Sequence, residues 1–205
     1  PWGKYKYVDD IEAREDGGTP GFLQSIKTAL CFTLKEKMGV ENIRLREEEL
    51  LERAFAGLDK INGLRILADN VRNRLGVISF YLENLHYNLV VQVLNDKYGI
   101  QTRGGCACAG TYGHFLLEVS YEKSLEITDK ISHGDLSGKP GWIRWSLHPT
   151  MTNTEVDLMI IALQDIAENA DVYINDYEHI LRSNIFKYKK QGNDISFLTE
   201  WFEID

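Results

Sequence analysis

The sequence predicts an α/β sandwich, a small sheet covered by helices. Three observations carry the prediction. Apolar residues recur at helical spacing over 22–38 and again over 43–61. Short alternating or β-rich runs at 64–67, 76–82 and 142–147 read as strands. Further helical patterns separate those runs, and strands separated by helices give layered α/β architectures.

Each element has a local reason. Trp2 to Val8 could form an edge strand, although little precedes it to pair with. The charged run at 9–16 reads as a solvated segment. Thr19-Pro20 has the chemistry of a helix start, with Thr as N-cap and Pro at the first helical position. Phe22, Leu23, Ile26, Leu30, Leu34 and Met38 follow, and Gly39 stops the helix; Cys31 falls on its apolar face and is expected in the core. A second helix fits 41 to about 61, ended by Asn62-Gly63. After the strands at 64–67 and 76–82, Asn84 is placed to cap a helix reaching Tyr98. A short strand at 99–102 then leads into a glycine-rich loop. A short apolar piece covers 112–119, a helix 121–132 and a strand 142–147. Thr152 or Asn153 starts a long helix through Val156, Met159, Ile160, Leu163 and Ile166. The tail beyond Ala170 is expected to be helical to near Lys190. No internal repeat or low-complexity linker interrupts the chain.

Bulk properties narrow the function. The 205 residues, 43% of them hydrophobic, suffice for one substantial core, or for one domain with a piece of another. The formal charge of -8, from 31 acidic and 23 basic residues, argues against nucleic-acid or anionic-membrane binding. No apolar run approaches the roughly 20 residues that cross a bilayer. Three cysteines are not a secreted disulfide framework, which favours a reducing cytoplasm. A chain that opens at Pro1 on a candidate edge strand is expected to be a piece of a longer protein.

Ile100-Gln-Thr-Arg-Gly-Gly-Cys-Ala-Cys-Ala-Gly110 is the richest stretch. Arg103 stands five residues before Cys108, among glycines that let a ligand approach the backbone. A guanidinium grips a carboxylate through two parallel hydrogen bonds, and a thiol near a cation is more readily the nucleophilic thiolate. The loop therefore reads as a site that holds a small acid and does sulfur chemistry on it. Three readings stand for Cys106 and Cys108: a nucleophile, small packed residues, or a metal pair. A tetrahedral zinc site needs more ligands than this pair and His114 supply, so no metal is expected. Arg144, inside a strand between tryptophans, needs an anionic partner, either a ligand carboxylate or an internal Asp or Glu. Gly17-Gly18-Thr19 ahead of a helix is compatible with phosphate binding, or with a plain cap. His86 and His114 read as ordinary core or surface histidines.

Taken together these segments resemble the C-terminal portion of class V aminotransferase-type proteins, the pyridoxal-phosphate (PLP) enzymes of the cysteine desulfurase and selenocysteine lyase group. Arg14-Glu-Asp-Gly-Gly-Thr-Pro20 is similar to the family's Glu-x-Gly-Thr-Pro turn before a long interdomain helix. Gly99-Ile-Gln-Thr-Arg103, with Gly105 and Cys108-Ala109, is similar to its Gly-Ile-x-x-Arg-x-Gly-x-x-Cys-Ala loop. Ile143-Arg-Trp-Ser-Leu147, followed by Thr152-Asn153 and Glu155-Val-Asp157, is similar to its Arg-x-Ser strand and closing helix. The likeness runs over roughly residues 5–170.

The resemblance implies a small C-terminal domain of a fold-type I PLP enzyme, with a short, mainly antiparallel sheet. Residues 1–19 would be a remnant of the large PLP-binding domain, 20–40 the interdomain helix and 41–205 the small domain. It implies that Cys108 takes sulfur or selenium from a small amino-acid substrate, that Arg144 binds the substrate carboxylate, and that Arg103 lines the same pocket. Thr19, with Gly18, would reach the PLP phosphate of the partner subunit in a homodimer, and a sulfur-acceptor protein is a possible partner. The Schiff-base lysine belongs to the large domain; Lys4 and Lys6 do not match it, so the stretch alone is expected to be inactive. The sequence departs from the pattern at Cys106-Ala107, at Gly110, and in about twenty extra residues before the Arg144 strand. A class V aminotransferase, lyase or epimerase that ignores the cysteine stays open, as does a non-catalytic metal-binding or scaffold domain.

Overall fold

The structure is a computed structural model that describes residues 2–106 and 110–190. Two compact units divide between Leu45 and Arg46. The first contains α1 (Ile11–Glu15), α2 (Phe22–Met38) and the opening turns of α3 (Val40–Leu58). No residue of α1 or α2 is buried. The apolar stripe of α2 is therefore uncovered, with Leu23 79% and Leu30 64% exposed, and Cys31 is exposed rather than in a core. Thr19 is not the cap. Helix α2 begins two residues later, its N-cap is Gly21, and no side chain bonds there. At the other end Gly39 takes φ 83°, where glycine meets no Cβ penalty. Residues 2–8 form no strand.

The second unit holds a four-stranded sheet in the order β1-β2-β4-β3, antiparallel at each pairing. Its strands are β1 (Leu64–Ile66), β2 (Val77–Leu82), β3 (Arg103–Gly105) and β4 (Trp142–Ser146). Helix α4 (Tyr87–Tyr98) crosses over between β2 and β3, and β4 inserts between them. The alternation read in the sequence becomes two faces. Ile78, Phe80, Leu82, Ile143 and Trp145 turn to one side and are buried. They meet Leu50, Ala54 and Leu58 of α3, Val90, Val93 and Leu94 of α4, and Val156, Met159 and Leu163 of α7 (Asn153–Glu168) in one core. Burial of each such side chain stabilises the fold by roughly 2 kcal/mol. On the other face Val77, Ser79, Tyr81, Arg144 and Ser146 are exposed or half-buried.

The sandwich is as predicted, and so is the start of α7. Thr152 caps it in a full capping box, its hydroxyl accepting from the Glu155 amide at 3.2 Å while the Glu155 carboxylate accepts from the Thr152 amide at 2.7 Å. Helix α6 (Tyr121–Ser132) matches its expected bounds, and α5 (Gly110–Leu116) forms in the apolar piece before it.

Three expectations fail locally. The strand expected at 99–102 begins instead at Arg103, because Gly99 and Ile100 finish α4 through amides that return to Asn95 and Leu94. Asn84 takes a left-handed turn (φ 64°), and His86 caps α4 instead. The tail is not helical to Lys190. Helix α8 (Ala170–Asp176) is followed by the hairpin β5 (Tyr177–Ile180) and β6 (Ile185–Tyr188). Alternating aromatic and β-branched residues favour that pleated pairing. Among the described residues no helix is long and apolar enough to cross a membrane.

Candidate functional site

Pairing register brings the two expected arginines together. Arg103 lies directly opposite Arg144 across the β3–β4 pair, and Arg144 lies opposite Ser79 across β2–β4. Cross-strand partners project to the same side, with Cβ atoms about 5 Å apart. Ser79, Arg144 and Arg103 therefore form a row on the face away from α3, α4 and α7. Like charges so placed oppose folding unless an anion lies between them. Among the described residues, no hydrogen bond or ion pair joins either guanidinium to a carboxylate. Among the described residues, the internal Asp or Glu that was the alternative partner for Arg144 is not there. The arrangement suits a ligand carboxylate, which two guanidinium groups and a hydroxyl could hold by charge-assisted bonds.

Around this row the loop is closely built. Cys106 is half-buried. Gly113 of α5 lies against it and against Trp142: a Cβ there would stand 3.1 Å from the indole and 3.6 Å from the Cys106 Cβ. Helix α5 thus covers the Trp142 end of the open face. Gly105 takes φ 118°, a conformation that L side chains rarely adopt. Gly104 has a different reason. Its core-side face is filled by α4, and a Cβ would stand 2.6 Å from Asn88 Oδ1 and 2.9 Å from the Tyr87 ring. Cys108, the expected nucleophile, lies outside the described residues.

Thr19 and Gly18 belong to the first unit, in the exposed segment before α2. The Thr19 hydroxyl makes no hydrogen bond among the described residues. With the small Gly17 and Gly18 beside it, this stretch is chemically fit to contact a phosphate. Ser79 was missed in the sequence; its signal was alternation, since it faces away from Ile78 and Phe80 along one strand.

A cavity of about 600 Å³ opens elsewhere, lined by Asp96, Lys97, Asp165, Tyr173, Tyr177 and Tyr188 among others. Its polar groups satisfy one another. Asp165 accepts from Lys97 (3.0 Å), Tyr98 (2.6 Å) and Tyr173, and Asp96 accepts from Tyr177 (3.1 Å). Burial pushes the Asp165 carboxyl up, but those three donors outweigh it and bring the pKa down to about 2. Tyr98 moves up to about 12, by burial and by its carboxylate neighbour. This network ties α4, α7 and α8 together. No group of three or more His, Cys, Asp or Glu residues able to hold a metal exists among the described residues.

The sequence-family model for aminotransferase class-V matches residues 3–159. A probable cysteine desulfurase of Mycobacterium leprae is 28% identical over 124 residues, 60% of this chain and 29% of that relative. A probable cysteine desulfurase of Staphylococcus epidermidis is 33% identical over 100 residues, 49% of this chain and 24% of that relative. Among solved structures, the apo cysteine desulfurase of Thermococcus onnurineus aligns with a TM-score of 0.57 at 25% identity, over 82% of this chain and 36% of that one. A NifS-like protein from Rickettsia africae shares the fold, with a TM-score of 0.55 at 20% identity over 80% of this chain and 39% of its own. The chain thus spans less than half the length of each.

Proposed function

The chain belongs to the aminotransferase class-V family, and from that membership we propose that it is the small C-terminal domain of a PLP-dependent cysteine desulfurase or selenocysteine lyase. One observation carries the reading: Arg103 and Arg144 stand at paired register positions with no internal carboxylate among the described residues. That is an address for a small acid, such as the carboxylate of an amino-acid substrate.

In this reading Arg144 grips the substrate carboxylate, and Arg103 shares the charge and fixes its orientation. Thr19 and Gly18 contact the PLP phosphate from the partner subunit of a homodimer. When bound, PLP supplies the electron sink that labilises bonds at the substrate's α and β carbons. The Cys108 thiolate attacks the substrate sulfur. An S–S bond forms as the C–S bond breaks, the electron pair stays on carbon, and a proton completes alanine. The persulfide on Cys108 then passes its sulfur to an acceptor protein. The lysine that holds PLP and the acid at its ring nitrogen lie in the large domain, which makes this stretch inactive alone. The short coverage of the longer relatives supports that placement.

The test uses the intact protein and L-cysteine, with alanine and persulfide measured. Arg144→Ala should lower kcat/KM by about 100-fold or more, the worth of a charge-assisted bidentate contact. Cys108→Ala should abolish persulfide formation. Full cysteine turnover by Cys108→Ala would overturn the sulfur-transfer role and favour a class V reaction that ignores the thiol.

A further inference from the structure

The β5–β6 hairpin lies beyond the residues that the family model matches, and the proposed chemistry does not use it. Yet it holds Asn184, a polar residue only 5% exposed. A buried amide is costly unless bonded, and this one is bonded on every side. Its Oδ1 meets His179 Nε2 at 2.8 Å, its Nδ2 donates to the Tyr87 hydroxyl at 3.1 Å, and its backbone carbonyl accepts from the Asn88 side chain. Its φ of 53° lies in the left-handed region, which Asn tolerates better than most residues.

Tyr87 is where this network reaches the sheet. Its ring occupies space that side chains at Gly104 and Gly141 would need. A Cβ on Gly104 would stand 2.9 Å from Tyr87 Cδ2, and one on Gly141 would stand 2.6 Å from Tyr87 Cε1 and 2.9 Å from the Gly105 Cα. Gly104 follows Arg103 in β3, and Gly141 leads into the strand that carries Arg144. Gly104 faces the helices, whereas its neighbour Arg103 projects to the opposite face. The ring therefore bears on the backs of both arginine strands, and its hydroxyl is held by the hairpin.

We propose that the β5–β6 hairpin is a strap: through Asn184 and Tyr87 it sets the spacing of the two arginine-bearing strands, with Asn184 a positioning residue for the anion site. The strap rests on the proposed reading for its chemical purpose, but not for its mechanics.

Hydrogen exchange on the intact protein tests the mechanics without turnover. Asn184→Gly keeps the left-handed turn and deletes the bridge; Tyr87→Phe keeps the ring and deletes the hydroxyl. Each should speed exchange of amides 103–106 about tenfold, the scale of one buried hydrogen bond, with β1 and β2 unchanged. Asn184→Asp keeps an acceptor for His179 and replaces the donor to Tyr87 by an acceptor to which the Tyr87 hydroxyl can turn its own proton, so it should restore protection. In activity assays Asn184→Gly should raise the KM for L-cysteine about tenfold with kcat little changed. The strap is overturned if 103–106 stay protected while 177–188 open, or if β1 and β2 open equally. If neither variant folds, exchange in the unaltered protein decides: 103–106 and 178–187 must open as one unit, and separate opening refutes the strap. Full turnover by Cys108→Ala would sink the desulfurase reading and leave these exchange results standing.

Discussion

His86 caps α4 through Nδ1, which accepts from the Asn88 amide at 3.1 Å and is therefore unprotonated. Burial, with the His179 ring beside it, lowers the His86 pKa to about 4. A histidine whose folded pKa is depressed stabilises the fold fully above its unfolded pKa near 6.5, and that stability is lost as pH falls toward the folded value. Stability should fall between pH 6.5 and 4, by less than the roughly 3 kcal/mol of the full shift, because solvent screens the half-exposed ring. His86→Asn keeps a capping side chain without the titration, so its thermal midpoint should vary less over that window; an unchanged slope would contradict the assignment. The cap was hidden in the sequence because the neighbouring Asn84 has the better capping chemistry. Arg144, by contrast, was legible: a charge within an alternating strand announces its need for a partner. That Arg103 would be its register neighbour was not, because pairing is decided by residues far apart in the chain.

At the scale of elements, the C-terminal hairpin and α8 are fastened by polar side-chain bonds as well as by packing, with Tyr173 and Tyr177 in the core and Phe186 and Tyr188 against it. Asp165 is the central acceptor, bonded from α4 by Lys97 and Tyr98 and from α8 by Tyr173. With its carboxyl depressed to about 2, its contribution is present above pH 4 and is lost as pH falls toward 2. Asp165→Asn should destabilise at pH 7 by on the order of 1 kcal/mol, less than the full shift would give because solvent screens the partly exposed carboxylate. The gap between variant and unaltered protein should close on acidification, measured by urea unfolding at several pH values. A gap that persists at pH 2 would mean that packing, not charge, is responsible. This element was misread as helix because Ala170 to Asp176 is helical, and nothing local marks Tyr177 as the switch. Its period-2 aromatics become decisive only when Asn184 finds Tyr87, 97 residues away.

At the scale of the molecule, the second unit should stand alone. Its core begins at Leu50 and draws on α3, α4, α7, α8 and both sheets, whereas α2 buries nothing. A piece covering 46–190 should unfold in urea as one cooperative transition, with a slope close to that of the whole chain; a broad or absent transition would refute this independence. The sequence by itself determined the α/β class, the strands at β2 and β4, the capped start of α7, and which residue types could hold an acid. Each of these follows from local periodicity and capping, which act over a few neighbouring residues. Only tertiary structure decided that Arg103 faces Arg144, that Cys31 is exposed, that Gly104 is needed for the space taken by Tyr87, and that a hairpin ends the described chain. Strand register, burial and close backbone approach are contacts between distant segments, and no local pattern encodes which segments will meet.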